Sequence, residues 1–163
     1  MFSCRASSVL RTKEQQMDFE IRSCTKQHLG EYGRIYAAAF SGEPWNDNWK
    51  EEDACIHVQE LLASEQAYGL ECLADGKVAG FILGTSMLFH YGRSFEINDL
   101  AVDPAFQKNG IATTLLEQCI VDVKAQGMKD VHLITAGEGT LPAFYAKHGF
   151  RSENKVILMG REL

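Results

Sequence analysis

The chain has 163 residues, 45% of them hydrophobic, and a formal net charge of −6. That length supports one sizeable core, and the acidic balance repels phosphate backbones, which argues against a nucleic-acid partner. Five cysteines at positions 4, 24, 55, 72 and 119 are odd in number and lack short paired spacings, against both a disulfide framework and a zinc site and in favour of reduced thiols in the cytoplasm, while no apolar run approaches the ~20 residues of a membrane span.

Residues 1–16 carry Arg5, Arg11 and Lys13 with several serines and a single acid, the composition of a disordered extension. A targeting segment or an upstream start are the alternatives, because Met17 directly precedes the first alternating stretch. Residues 18–23 alternate apolar and polar as a half-buried strand does. Thr25 then caps a helix running to about Phe40, with Leu29, Tyr32, Ile35, Tyr36 and Ala39 inward. Gly42 and Pro44 break it, and a second helix over residues 52–64 carries Ala54, Ile56, Val58, Leu61 and Leu62 on its apolar face. Two strands, residues 68–73 and 78–88, flank Asp75-Gly76, a dipeptide suited to a tight hairpin. A second hairpin through residues 90–93 returns as a strand over residues 95–102.

The most informative stretch follows. Asp103-Pro104 closes the strand, since proline removes a ladder donor. A loop, residues 105–110, ends in Gly110, and apolar residues at 112, 115, 116, 119, 120 and 123 then mark one face of a helix that Gly127 stops. A loop feeding unpaired N–H groups into a helix N-terminus is a site for anions. Gln107-x-x-Gly110-x-Ala112 is neither a Walker loop, which ends in Gly-Lys-Ser/Thr and holds magnesium, nor a three-glycine dinucleotide fingerprint. Beyond it come a short buried strand over residues 131–135, an irregular entry marked by Gly137, Gly139 and Pro142, a short helix over residues 143–147, and a last strand over residues 155–160.

Leu100-x-Val102-x-Pro104, Gln107-x-x-Gly110-x-Ala112 and Phe144-Tyr145-x-x-x-Gly149-Phe150, in that order, resemble the GNAT superfamily of N-acetyltransferases over residues 17–163. The resemblance implies an α/β (α+β) fold: one domain, residues 17–163, with a mixed, mostly antiparallel twisted sheet of six or seven strands and helices on both faces. It implies transfer of an acetyl group from acetyl-CoA to an amine, with pyrophosphate held by the loop residues Gln107, Lys108, Asn109, Gly110, Ile111, Ala112 and Thr113. The pantetheine arm would pair with the fourth strand where it splays from the fifth, on the main chain of Leu100, Ala101 and Val102.

Tyr145 is the choice for general acid, since an unperturbed phenol near pKa 10 is protonated at neutral pH. Glu96 and Asp99 are the candidate bases, some relatives using a carboxylate at the position matching Glu96; alternation puts the two on opposite faces unless a bulge intervenes. His90 and His132 are weaker candidates. Many family members carry an asparagine seven residues before the tyrosine; here Glu138 stands there. Trp45 and Asn46, with Glu43 and Tyr91, suit a cationic amine through cation–π and ionic contact.

The expected function is direct transfer in a ternary complex to a primary amine, that of a small molecule. The alternatives are an acyl-CoA-binding sensor without turnover and a protein N-terminal or lysine acetyltransferase. No metal, nucleic acid or membrane partner is expected, and edge strands near residues 155–163 offer a surface for pairing across a homodimer.

Overall fold

The computed structural model describes residues 19–153 and 157–163. The expected N-terminal extension lies outside the described residues. Five strands form one sheet in the order β1-β2-β3-β4-β5: β1 Phe19–Ser23, β2 Ala67–Ala74, β3 Lys77–Phe89, β4 Gly92–Val102 and β5 Asp130–Leu133. All neighbours are antiparallel except β4 and β5. Four helices flank the sheet: α1 Leu29–Phe40, α2 Glu51–Ala63, α3 Ile111–Ala125 and α4 Leu141–Lys147. Among the described residues, no helix is long and apolar enough to cross a membrane.

Local chemistry accounts for the turns. Asp75 and Gly76 adopt φ of 51° and 73°, the left-handed pair that a two-residue hairpin between right-twisted strands requires. Thr25 caps a 3-10 turn, Lys26–His28, by accepting the Gln27 N–H at 3.3 Å, and this turn leads into α1. Gly127, at φ 89°, ends α3 in the left-handed conformation common beyond helix C-termini.

The sheet separates two apolar layers. On one side α3 brings Ile111, Leu115, Leu116, Cys119 and Val123 against Ile82, Phe95 and Ile97. On the other, α1 and α2 bring Tyr32, Ile35, Tyr36, Ala54 and Val58 against Phe81, Leu83 and Ala101. Ile56, expected inside, is 56% exposed, because it stands two residues from Ala54 and from Val58 and faces away from the sheet. Glu71 is fully buried in β2, where it accepts from Arg22 Nε at 2.5 Å and the Tyr32 hydroxyl and pairs with His28 Nδ1 at 2.8 Å, pinning the start of α1 to the sheet.

Two departures from regularity set up the rest. Leu83 pairs with Asp99 but Gly84 pairs with Ile97, so Asn98 is an extra residue in β4. This bulge inverts the phase of the strand: Phe95 and Ile97 join the α3 layer, while Ala101 joins the α1/α2 layer. Glu96 and Asp99, on opposite faces of an unbroken strand, therefore share the face toward α1 and α2. Gly84 makes the bulge feasible, since a Cβ there would collide with the Glu96 carbonyl oxygen and the Phe95 ring.

The second departure corrects an expectation. The strand predicted for residues 155–160 is not formed at 157–160, and 154–156 lie outside the described residues, so the described residues form five strands against the six or seven expected. Ile157, Leu158 and Met159 are consecutive apolar residues, 78–82% exposed, with no alternation that would seat one face on a core.

Candidate active site

β4 and β5 pair only from Ser94–Asp130 to Ile97–Leu133. β5 then ends while β4 continues beside β3 to Val102, so the two parallel strands part and leave one edge of β4 open. The Asp103 N–H bonds Ala79 C=O at 2.9 Å. By antiparallel alternation Ala101 also turns its main-chain groups to β3, and Leu100 and Val102 turn theirs to the open side. Gln107 Nε2 donates to Val102 C=O at 3.3 Å, consistent with that direction.

The loop closing this opening delivers the chain into α3. Lys108 (φ 64°) and Gly110 (φ 82°) are both left-handed, and a Cβ at Gly110 would meet no atom within 4 Å, so open space surrounds the turn. Asn109 Nδ2 donates to the carbonyls of Phe106 and Gln107 at 3.1 and 3.2 Å. The first ladder bond runs from Thr114 N–H to Gly110 C=O at 3.0 Å, leaving the N–H groups of Ile111, Ala112 and Thr113 outside the helical ladder. No acid occupies the first turn of α3, and Gly110 supplies no side-chain cap. The Thr114 hydroxyl donates to Gly110 C=O at 3.1 Å, whereas the Thr113 hydroxyl makes no hydrogen bond among the described residues. The nearby Asp103 carboxylate is neutralised by Arg34 at 2.8 Å and by the Ala105 N–H. Backbone donors and a helix dipole thus point at one opening, with Lys108 in the adjoining loop and no acid in the first turn of α3, a cradle suited to a diphosphate.

Tyr145 lies on α4, edge-on to Phe144 and Phe150 at ring separations of 5.1 and 5.6 Å, at the margin of the α3-side layer that also borders Leu100. Its hydroxyl has no hydrogen-bond partner among the described residues and is not a sealed, unpaired atom. Burial pushes its pKa above the ordinary phenol value, which keeps it protonated. Glu138 is exposed in the segment between β5 and α4.

On the α1/α2 face, Glu96 is half-buried, faces Thr85 and His132 across the neighbouring strands and makes no ion pair among the described residues. Asp99 is 4% exposed and bonded to His57 Nε2 of α2 at 2.9 Å. Sequence reasoning missed His57, because its partner is 42 residues away; the one local signal is Asp53, a helical turn earlier on the same acidic helix. Trp49 was missed too. Its ring stands 5.0 Å from Tyr36 and 5.6 Å from His57. With Asp47, Asn48 and Asp53 it lines a hollow of about 320 Å³.

Trp45 packs on Phe40 at 5.7 Å, and Asn46 adopts φ 51°, both in the α1–α2 connection. Pro44 of the same connection comes within 3.9 Å of where a Gly139 Cβ would lie, bringing the connection up to the β5–α4 segment. Tyr91 is not part of this group. It stacks on Phe89 at 5.5 Å in the β3–β4 turn, at the end of β4 remote from the opening, because the hairpin places position 91 eleven residues before Val102 on an extended strand. His132 is also engaged elsewhere, its Nδ1 2.9 Å from Ser94 Oγ, and His90 sits in the turn beside Tyr91.

Comparison with known proteins agrees with this geometry. The chain is 27% identical over 147 residues to an uncharacterised N-acetyltransferase of Methanocaldococcus jannaschii, covering 87% of this chain and 64% of that protein, so it spans under two thirds of that relative's length. A possible acetyltransferase from Clostridium difficile 630 superposes with a TM-score of 0.75 at 17% identity, over 89% of this chain and 98% of that one. An aminoglycoside N-acetyltransferase solved with CoA superposes at 0.70 and 18% identity, over 93% of this chain and 100% of that one. At those identities the structures speak for the fold alone. The model of the acetyltransferase (GNAT) family matches residues 29–150, three quarters of the chain, and the protein belongs to that family.

Proposed function

We propose that the protein transfers an acetyl group from acetyl-CoA to a primary amine of a small cationic molecule, by direct attack in a ternary complex. The observation that carries this reading is the parting of β4 from β5 immediately before the acid-free N-terminus of α3. Acetyl-CoA supplies an activated thioester; the residues of the chain bind and orient it and move protons. The amides of Ile111, Ala112 and Thr113, with Gln107, Lys108, Asn109 and Gly110 shaping the loop, hold the diphosphate. Leu100 and Val102 offer main-chain groups to the pantetheine arm and acetyl carbonyl, with Ala101 holding β4 to β3 between them. A fixed donor of this kind needs no reorganisation as negative charge grows on the carbonyl oxygen, and losing one costs about 3 kcal/mol.

Tyr145 gives a proton to the departing sulfur. Glu96 and Asp99, on one face, supply the negative field and the proton path that an amine needs. The acidic, aromatic hollow beside Trp49, with Trp45 and Asn46 in the same connection, recognises the cation. An acceptor with several amino groups, such as the aminoglycosides in the name of one protein of the same fold, would suit that acidic hollow. We assign the activity to the cytoplasm on the strength of the free thiols of Cys24, Cys55, Cys72 and Cys119.

The test is thiol release from acetyl-CoA across polyamines, aminoglycosides, amino acids and peptide N-termini. Turnover with a multiply charged small amine is expected. Turnover with peptides alone would replace it by the protein acetyltransferase reading, and CoA binding without turnover by that of an acyl-CoA sensor.

A further inference from the structure

Asp99 is the one carboxylate on the open stretch of β4, yet at 4% exposure it cannot itself meet a substrate. What it touches is His57, whose side chain is 32% exposed. Nε2 of that imidazole is taken by Asp99 at 2.9 Å, whereas Nδ1 has no partner among the described residues and is not a sealed polar atom, so it reaches solvent. The ring is held between Tyr36 at 4.8 Å and Trp49 at 5.6 Å, and Trp49 also walls the acidic hollow. A buried carboxylate that orients an imidazole with its other nitrogen open is the arrangement that makes a histidine a directed proton acceptor.

We propose that His57 Nδ1 takes the proton released by the acceptor nitrogen, and that Asp99 is a positioning residue acting through it. This rests on the acetyltransferase reading above. The acceptor attacks as the free amine; the C–N bond forms and the thioester C–S bond breaks. The surplus proton on nitrogen passes to Nδ1, and the Tyr145 hydroxyl gives its proton to the sulfur. Solvent then carries the proton from imidazolium to phenolate, restoring both groups and leaving amide and thiol.

The groups around the imidazole favour its charged form. The hydrogen bond to Asp99 of β4 lifts its pKa above the ordinary value, with burial opposing and Glu60 of α2 adding to the lift. Tyr36 of α1 remains neutral, its own pKa raised first by burial and then by Asp99 and by Asp47 of the connection. Asp53 lies one turn back on α2, and no lysine or arginine pairs with His57 among the described residues. The neutral imidazole is the working base, so activity falls as pH drops through its raised pKa.

The experiment is a kcat/KM–pH profile for the wild type, His57→Gln and Asp99→Asn, with the most active amine of the panel and with melting temperatures as a check on folding. Glutamine can still donate to Asp99 and keep α2 in place. His57→Gln should remove the imidazole's step from the acidic limb, leaving only the one that the acceptor amine's own ionisation imposes, and lower kcat by about 100-fold or more, with acetyl-CoA KM within twofold. Asp99→Asn should shift the limb to lower pH. A folded His57→Gln that retains limb and kcat overturns the relay and leaves the acetyltransferase reading standing. Should that variant not fold, an unmoved limb in Asp99→Asn overturns it equally. A wild type releasing no thiol with any amine removes both.

Discussion

Gly110→Asp, set beside Gly110→Ala, isolates the charge of the proposed diphosphate cradle from its backbone. Gly110 is the cap of α3 at φ 82° and ψ 2°. A side chain in that left-handed well costs about 1 kcal/mol of stability, but the strain is carried by the free and bound protein alike and cancels in affinity to first order. A Cβ there meets nothing within 4 Å, so no steric term is added. Alanine should therefore lower the melting temperature and leave CoA affinity within about threefold, a difference of about 0.6 kcal/mol. Aspartate adds a negative charge where the diphosphate needs positive potential and can cap the very N–H groups that would hold it. One charge pair at contact in water is worth about 1 kcal/mol, so repulsion from the two phosphate charges amounts to about 2 kcal/mol, roughly 30-fold in Kd. Calorimetry at low ionic strength measures it, and the gap to alanine should narrow in 1 M salt, where exposed charges are screened. Equal CoA affinity for Gly110→Asp and wild type would put the cofactor away from the start of α3.

Three further outcomes follow from the packing. Tyr145→Phe should lower kcat by about 100-fold with unchanged acetyl-CoA affinity; steady-state kinetics showing an unaltered kcat would remove it as the acid. Gly84→Ala should destabilise the fold by about 2–3 kcal/mol in urea unfolding, because the added methyl meets the Glu96 carbonyl and Phe95 ring; a neutral result would mean the bulge at Asn98 yields. Burial would raise the Glu71 pKa, but bonds from Tyr32, His28 and Arg22 outweigh it and hold the carboxyl below its ordinary 4.5. Its stabilisation is then complete above that value and lost as pH falls through the lower folded pKa, so Glu71→Gln should flatten the acid limb of a stability–pH curve, and an unchanged limb would assign acid unfolding to other groups.

How much of this was legible in the sequence depended on the distance over which each feature is specified. The α3 loop was readable because Pro104, Gly110 and the apolar spacing from Ala112 to Val123 are all local and each has one backbone consequence. The Asp75-Gly76 hairpin was readable for the same reason. The pairing of Glu96 with Asp99 on one face was not: it turns on the extra residue Asn98, and what admits that residue is Gly84, on the neighbouring strand, opposite Ile97. His57 carried no signal of its own, since a histidine on an acidic helix gains meaning only from Asp99 on the sheet beneath. Residue type alone suits Tyr91 to the acceptor region, and only the length of the β3–β4 hairpin decides that it lies at the far end.

These residues also explain why the candidate chemistry gathers where it does. The interior of a regular sheet pairs its backbone groups and alternates its faces, leaving no donor for a ligand there and setting residues three apart, such as Glu96 and Asp99, on opposite sides. The bulge at Asn98 breaks the alternation and sets Glu96 and Asp99 toward α1 and α2; the end of β5 at Leu133 breaks the pairing and frees the edge of β4 just before α3. Filling the first defect with Gly84→Ala should therefore disturb catalysis through Glu96 and Asp99 while sparing the proposed diphosphate cradle, which begins beyond Val102 and carries much of the CoA affinity. A variant that lost CoA affinity and kept kcat would show that the two defects are one.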